Sequence, residues 1–568
     1  MLHLIRENRP LRTALSALLL SSTAMVAACD RMTASNEKPR PEGEETGTVT
    51  VNRTVSEHDA TAGVAAMEPM IAPYPPPPPP APGDVVRDQF EDVELNGVKI
   101  VAEEPVSTFS ADVDTASYAV IRNYLNSGTL PPRDAVRPEE MVNYFDYSYP
   151  LPETRDRPFE PNITVMQTPW NAGTQLVHIG IQGFDLPRAE RPAANLVLLL
   201  DVSGSMDDPK KLPLLKNAIR LMVDQLTAED SVSIVVYAGA AGTVLEPTPG
   251  DQKARILAAL DSLSAGGSTA GGEGIRLAYQ LAEQTFKRDG INRVILATDG
   301  DFNVGITDPE QLEDFVARER ETGVTLTVLG FGQGNYNDAL MQKLAQTGNG
   351  NAAYIDTLNE ARKVLVNEMA GTLFTIAGDV KFQIEFNPQR VAEYRLIGYE
   401  TRLLNREDFN NDAVDAGDIG SGHRVTAIYE IVPVGSDARL TEPLRYQTGN
   451  VPPPHAAGGE IAFLKIRYKL PGEDASKLIE RPITDRDVVG DVARAPEDVR
   501  FGVAVAAFAQ VLRGDPYLSD FGYDAIATLA RGARGEDRYG YRSEFMQLVE
   551  LAKSLPALPP LETHGAGN

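Results

Sequence analysis

From Asn195 to about Leu373 the chain alternates short apolar runs with segments whose apolar residues recur every three or four positions. The runs Leu196–Leu200, Val232–Tyr237, Val294–Ala297, Val324–Leu329 and Ala352–Ile355 are nearly unbroken, as strands buried on both faces are. Between them, Leu215, Ala218, Ile219, Met222 and Leu226 fall on one face of a helix. This alternation predicts an α/β unit built on a doubly wound, mostly parallel sheet. The flanks have a different texture. Ile163–Met166 and Leu176–Ile181 before the unit, and Val380–Phe386, Val425–Val432 and Ala462–Tyr468 after it, are strand-like and rich in β-branched residues. Should the two groups pair, the α/β unit would be an insertion in a β-rich framework. Helices are predicted at Ser117–Leu125, capped by Asp114 or Thr115, and in a helical end at Val499–Leu512, Tyr523–Ala530 and Ser543–Leu555.

Before Gln89 no such periodicity exists. Arg6, Arg9 and Arg12 precede an apolar run from Ala14 to Ala28, the layout of a secretory signal and too short for a comfortable membrane span. The run ends in Val26-Ala27-Ala28-Cys29, which resembles the lipobox of bacterial lipoproteins. That resemblance implies acylation of Cys29 and a lipid anchor in a bacterial membrane, the folded part facing the periplasm. The alternative is a plain signal peptide cut near Ala28. Asp30 resembles the enterobacterial signal for inner-membrane retention. Ser, Thr, Glu, Pro and Gly then dominate to about residue 85, with six prolines in a row from Pro75 to Pro80. Such a segment buries too little apolar surface to order itself, and the prolines favour an extended spacer; a polyproline-recognition site is the sharper alternative. The chain thus divides into a signal (1–28), a tether (29–88), an N-terminal region (89–190), the α/β unit (191–376) and a C-terminal β-rich plus helical region (377–560).

Composition narrows the chemistry. Of 568 residues, 53 are Lys or Arg and 80 are Asp or Glu, for a net charge of −27. No surplus of cations exists to neutralise phosphates, which argues against nucleic acid as a partner. The single cysteine excludes a disulfide framework and a cysteine-ligated zinc or iron–sulfur site.

What remains is oxygen chemistry. The first strand of the α/β unit runs into Asp201-Val202-Ser203-Gly204-Ser205, one carboxylate and two hydroxyls in a tight turn. A Gly-rich loop, 266–272, offers Thr269, and the strand Val294–Ala297 ends in Thr298-Asp299-Gly300. In a doubly wound sheet the first and fourth strands lie side by side and ligands gather outside their carboxyl ends. Asp299 ends the fourth strand if the stretch between Glu246 and Ser268 holds the third. Carboxylates and hydroxyls suit Mg²⁺ or Mn²⁺.

Asp201, Ser203, Ser205, Thr269 and Asp299 together resemble the metal-ion-dependent adhesion site of von Willebrand factor type A domains. Phe109–Tyr118, Glu139–Tyr149 and Asp379–Asn411 are similar to segments of bacterial type A domain lipoproteins with a C-terminal domain of unknown function. The resemblance implies a binding protein, not an enzyme. Ser203, Ser205 and Thr269 would coordinate the ion directly or through water, with Asp201 and Asp299 in the first or second shell, and a partner's acidic side chain would complete the coordination.

Other readings are weaker in the residues. A serine hydrolase would use Ser203 or Ser205, but Gly-x-Ser-x-Gly is missing and the inner histidines, His178 and His423, lie in β-like stretches. Asp112-Val113-Asp114-Thr115 has Ala116 where an aspartyl phosphatase needs Thr. Asp408–Asp412 begins like an EF-hand loop but has Ala413 for Gly and Ile419 for Glu. A solute-binding lipoprotein should show two similar lobes, and one is found.

Overall fold

A computed structural model describes residues 88, 90–111, 114–267, 271–300, 308–332, 336–414, 416–442 and 459–556. The expected signal, Cys29, nearly all of the tether, Asp112 and Thr269 lie outside them.

In chain order the first elements are β1 (Lys99–Ile100), β2 (Val106–Ser110), α1 (Ala116–Asn126), α2 (Pro138–Asn143), β3 (Asn162–Thr168) and β4 (Asn171–Gln182). Then follow β5 (Ala194–Asp201), α3 (Leu212–Val223), β6 (Ser231–Tyr237), β7 (Ala241–Pro249), α4 (Lys253–Asp261) and α5 (Gly271–Gln284). The unit ends with β8 (Ile291–Thr298), α6 (Pro309–Arg320), β9 (Thr325–Phe331), α7 (Asp338–Thr347) and β10 (Ala352–Ile355). Short helices α8 (Leu358–Arg362) and α9 (Met369–Leu373) lead to β11 (Thr375–Phe386), β12 (Val391–Leu396), β13 (Ile419–Gly420) and β14 (Arg424–Pro433). β15 (Glu460–Lys469), β16 (Lys477–Thr484), β17 (Val488–Gly490), α10 (Glu497–Arg513), α11 (Tyr523–Arg531) and α12 (Tyr541–Ser554) complete the order.

The central sheet has the order β10-β9-β8-β5-β6-β7, parallel except for β7. β5 is buried along its whole length because it lies between β8 and β6 and both faces are covered. Leu196, Leu198 and Leu200 point to the side packed by α3 and α4; Val197 and Leu199 point to the side packed by α5, α6 and α7. This is the doubly wound α/β fold expected. The third strand departs from expectation. β7 starts at Ala241, five residues before the stretch assigned to it, and runs antiparallel beside β6, while α4 occupies about half of the rest of that stretch. An edge strand that is largely half-exposed needs no apolar run, which is why the pattern hid it.

The flanking strands do pair across the insertion. β4 lies antiparallel to β14, with Gln182 opposite Arg424, and β2 lies antiparallel to β11, with Ser110 opposite Lys381. Two further sheets result, β1-β12-β14-β4-β3-β17 and β13-β11-β15-β16, with β2 on β11. Their facing side chains form one core, which includes Phe109, Phe159, Phe382 and Tyr429. The helical end packs on α1 and α2 around α10, a helix apolar on nearly every side and buried accordingly.

One capping expectation is corrected. Thr115 is the N-cap of α1 but makes no side-chain cap, and Asp114 turns elsewhere, accepting from the Ala352 N–H at 3.0 Å and pairing with Arg402 at 3.1 Å. The Glu140 carboxylate instead accepts the Ser117 N–H at 2.8 Å, supplying from α2 what α1 lacks. Asp408 is a turn residue, in a reciprocal cap with Asn405, and Asp412 binds Arg467 and Ser476.

The regions are braced at Arg122 of α1, a guanidinium with no solvent exposure. Its Nε donates to Asp356 at 2.9 Å, Nη1 to Tyr144 Oη at 3.0 Å and Glu544 at 3.1 Å, and Nη2 to Glu360 at 2.7 Å and to Asp356. Burial disfavours its charge, yet Tyr144, Glu360 and Asp356 outweigh that and raise its pKa above the ordinary value.

Candidate metal centre

β5 delivers Asp201 to the carboxyl edge of the sheet, and β8 delivers Asp299 beside it, because Leu200 and Ala297 are register partners. Both carboxylates are fully buried. Asp201 is oriented from two sides. Its Oδ1 accepts the Ser203 N–H at 2.8 Å and its Oδ2 accepts the Thr298 hydroxyl at 3.2 Å. Thr298 is held in turn by the Gly300 N–H at 3.2 Å. In the sequence Thr298 is only part of the strand end, and its neighbourhood to Asp201 depends on strand pairing that sequence spacing does not display.

Burial raises the Asp201 carboxyl above its ordinary range; hydrogen bonds from Ser203 and Thr298 oppose that, and the charge of Asp299 adds to it. The Tyr237 phenol, on the neighbouring strand, is pushed up by burial and then by the charge of Asp201.

The turn after Asp201 brings the Ser203 and Ser205 hydroxyls within 3.0 Å of each other. Ser203 is buried and Ser205 exposed, so the pair leads from the sheet edge to solvent. The Gly-rich loop is tied to this turn by two backbone bonds, Gly204 N–H to Gly267 O at 3.0 Å and Gly266 N–H to Val202 O at 2.8 Å. Gly267 has φ +86°, and a Cβ there would stand 3.1 Å from the Gly239 nitrogen, so a side chain would be strained by conformation and tightly crowded. Thr269 follows two residues later, outside the described residues.

Asp299 has a partner that no pattern in the chain announces. Lys211, just before α3, places Nζ 2.8 Å from Asp299 Oδ2, with 12% of its side chain exposed. Its methylene stem lies against Gly332, which has φ +82° and no room for a Cβ beside that stem.

These donors fit a hard divalent cation: two buried carboxylates and two adjoining hydroxyls, all oxygen, at a place that already draws an ammonium. Among the described residues no group of three or more His, Cys, Asp and Glu could hold a metal ion. Glu273, in the first turn of α5, is exposed.

The histidines stand apart from the serines. His178 on β4 is fully buried, 3.4 Å from the Tyr149 hydroxyl, and burial pushes its pKa down to about 4. His423 lines a separate cavity of about 690 Å³ with Glu368, Asp498 and Arg542. Among the described residues neither histidine is hydrogen-bonded to Ser203 or Ser205.

Comparison with known proteins gives three family matches. Residues 195–367 match the von Willebrand factor type A domain, 84–178 match the von Willebrand factor model, and 371–555 match "Uncharacterized protein YfbK, C-terminal". The uncharacterised protein YfbK of Escherichia coli strain K12 is 48% identical over 478 residues, covering 83% of this chain and 81% of that protein. The uncharacterised protein sll0103 of Synechocystis is 33% identical over 167 residues, covering 29% of this chain and 39% of that protein. Among solved structures, a von Willebrand factor type A protein from Catenulispora acidiphila is 16% identical with a TM-score of 0.37, covering 71% of this chain and 98% of that one. Type A domains are in general protein-interaction modules rather than enzymes.

Proposed function

The chain belongs to the family of YfbK, joining a von Willebrand factor type A domain to the YfbK C-terminal domain, and from that premise we propose that it captures a protein partner through a divalent cation at the cell envelope. The supporting observation is the convergence of Asp201, Asp299, Ser203 and Ser205 at one sheet edge, buried on the strand side and open on the loop side. Asp201, Ser203, Ser205, Thr269 and Asp299 would hold Mg²⁺ or Mn²⁺. When bound, the ion supplies an electrophilic site that takes an acidic side chain of the partner.

The chain's own residues do the positioning. Ser203 and Thr298 fix the Asp201 carboxylate, so little ordering is left for the binding step. The backbone ties at Gly204 and Gly266 hold Gly266 and Gly267, the start of the Gly-rich loop, against the serine turn.

The test is capture from envelope extract in Mg²⁺, followed by elution with chelator. Asp201→Ala should lose chelator-sensitive capture while keeping its far-ultraviolet circular dichroism. Equal capture by both chains, with and without chelator, refutes the mechanism.

The same proposal places the protein on a bacterial membrane through acylated Cys29, with residues 30 to about 85 as spacer. Cys29→Ser should fail to incorporate labelled palmitate and should leave the membrane fraction. Unchanged labelling sinks the anchor. Among the described residues no helix is long and apolar enough to cross a membrane.

A further inference from the structure

Two adjacent lysines before α3 have different fates. Lys210 is exposed, whereas Lys211 turns inward and gives its ammonium to Asp299 at 2.8 Å. The inward path is built. Gly332 leaves open the space beside the methylene stem, and any larger residue there would collide with it. Asp299 has no exposure to solvent, so a cation beside it is worth more than one at the surface.

Charge bookkeeping then sets the behaviour of the site. Asp201 and Asp299 alone carry two negative charges and would neutralise a divalent ion. With Lys211 they carry one, and a divalent ion leaves one positive charge in excess. An external carboxylate cancels that excess.

We propose that Lys211 is a tethered competitor of the divalent cation, which weakens binding of the ion alone and makes it depend on the partner's acidic group. This deepens the metal-dependent reading of the same site and rests on it. Ion and acidic partner are then reciprocally coupled, each raising the affinity for the other. The lysine guards against permanent loading and reserves the loaded state for the complex.

The test is titration of the full chain with Mn²⁺ alone, counting bound ion by electron paramagnetic resonance. Lys211→Met keeps the stem beside Gly332 and removes the charge. Lys211→Gln also removes the charge but retains an N–H donor for Asp299, so it carries the test if the Met variant fails to fold. Both should bind Mn²⁺ roughly tenfold more tightly than wild type or better, and Lys211→Arg should stay within about twofold. Thermal melting without metal checks that each variant is folded. Affinities in the Met and Gln chains equal to or weaker than wild type overturn the role of Lys211 while leaving the metal site standing. Absence of Mn²⁺ binding in every chain, wild type included, overturns the site itself and this proposal with it.

Discussion

Two clusters of largely buried carboxylates stand on the same carboxyl edge of the central sheet, with only β9 between them. One, beyond β10, joins Asp356, Glu360 and Glu544 to Arg122; the other, at the ends of β5 and β8, joins Asp201 and Asp299 to Lys211 and two serines. In the first, all five guanidinium N–H groups have acceptors, drawn from four different segments. The guanidinium has no donor left to offer a ligand, so the cluster acts as a brace. In the second, one ammonium meets one carboxylate, and the hydroxyls of Ser203 and Ser205 meet each other at a rim where Ser205 is exposed. Two carboxylates at strand ends therefore do not by themselves make a binding site. The difference lies in how many acceptors one cation engages among the described residues: four side chains at Arg122, one carboxylate at Lys211.

The comparison can be broken most forcefully at Arg122. Arg122→Met should cost about 3–5 kcal/mol in urea denaturation, because it strands buried carboxylates without a cation. Mn²⁺ affinity should stay unchanged; a parallel fall would show that the two clusters are one. Acid gives the next effect, and it should belong to neither cluster. His178 is buried neutral with its pKa pushed down to about 4, below the unfolded value near 6.5. The unfolded chain binds the proton first, so the His178 contribution is full above about pH 6.5 and falls as pH drops to about 4, by about 3 kcal/mol. His178→Gln should remove that share of the acid slope and leave the share of His423, whose pKa burial likewise pushes down to about 4; Asp201→Asn should leave both in place, and the reverse pattern would move the acid sensitivity to the rim. The smallest effect is expected for Tyr144→Phe. It removes one acceptor from Arg122 and one donor from Glu360, at about 2 kcal/mol by chemical denaturation. No measurable loss would mean that the brace is not fully used.

Sequence patterns disclose interactions that are short-range or periodic. β5 is legible because a strand covered on both faces must be apolar throughout, and Asp201, Ser203 and Ser205 are legible because they lie within one turn. Asp299 follows from strand order alone. β16 is hidden by Pro482 and by charges that an edge strand tolerates, since it pairs only with β15. Arg122 and Lys211 read as ordinary polar residues of helical segments. Their carboxylate partners lie 234, 238 and 422 residues away for Arg122 and 88 away for Lys211, separations that no periodicity encodes.

The pairing of β4 with β14 also sets an order of events in synthesis. Gln182 waits for Arg424, about 240 residues later, and Ser110 waits longer still for Lys381. At about 5–20 residues per second, a nascent chain leaves the β4 edge without β14 for roughly ten to fifty seconds. During that interval an apolar strand with unmet backbone groups is open to pairing with another copy. A holdase bound to the first half, and released once β14 emerges, would keep such copies apart.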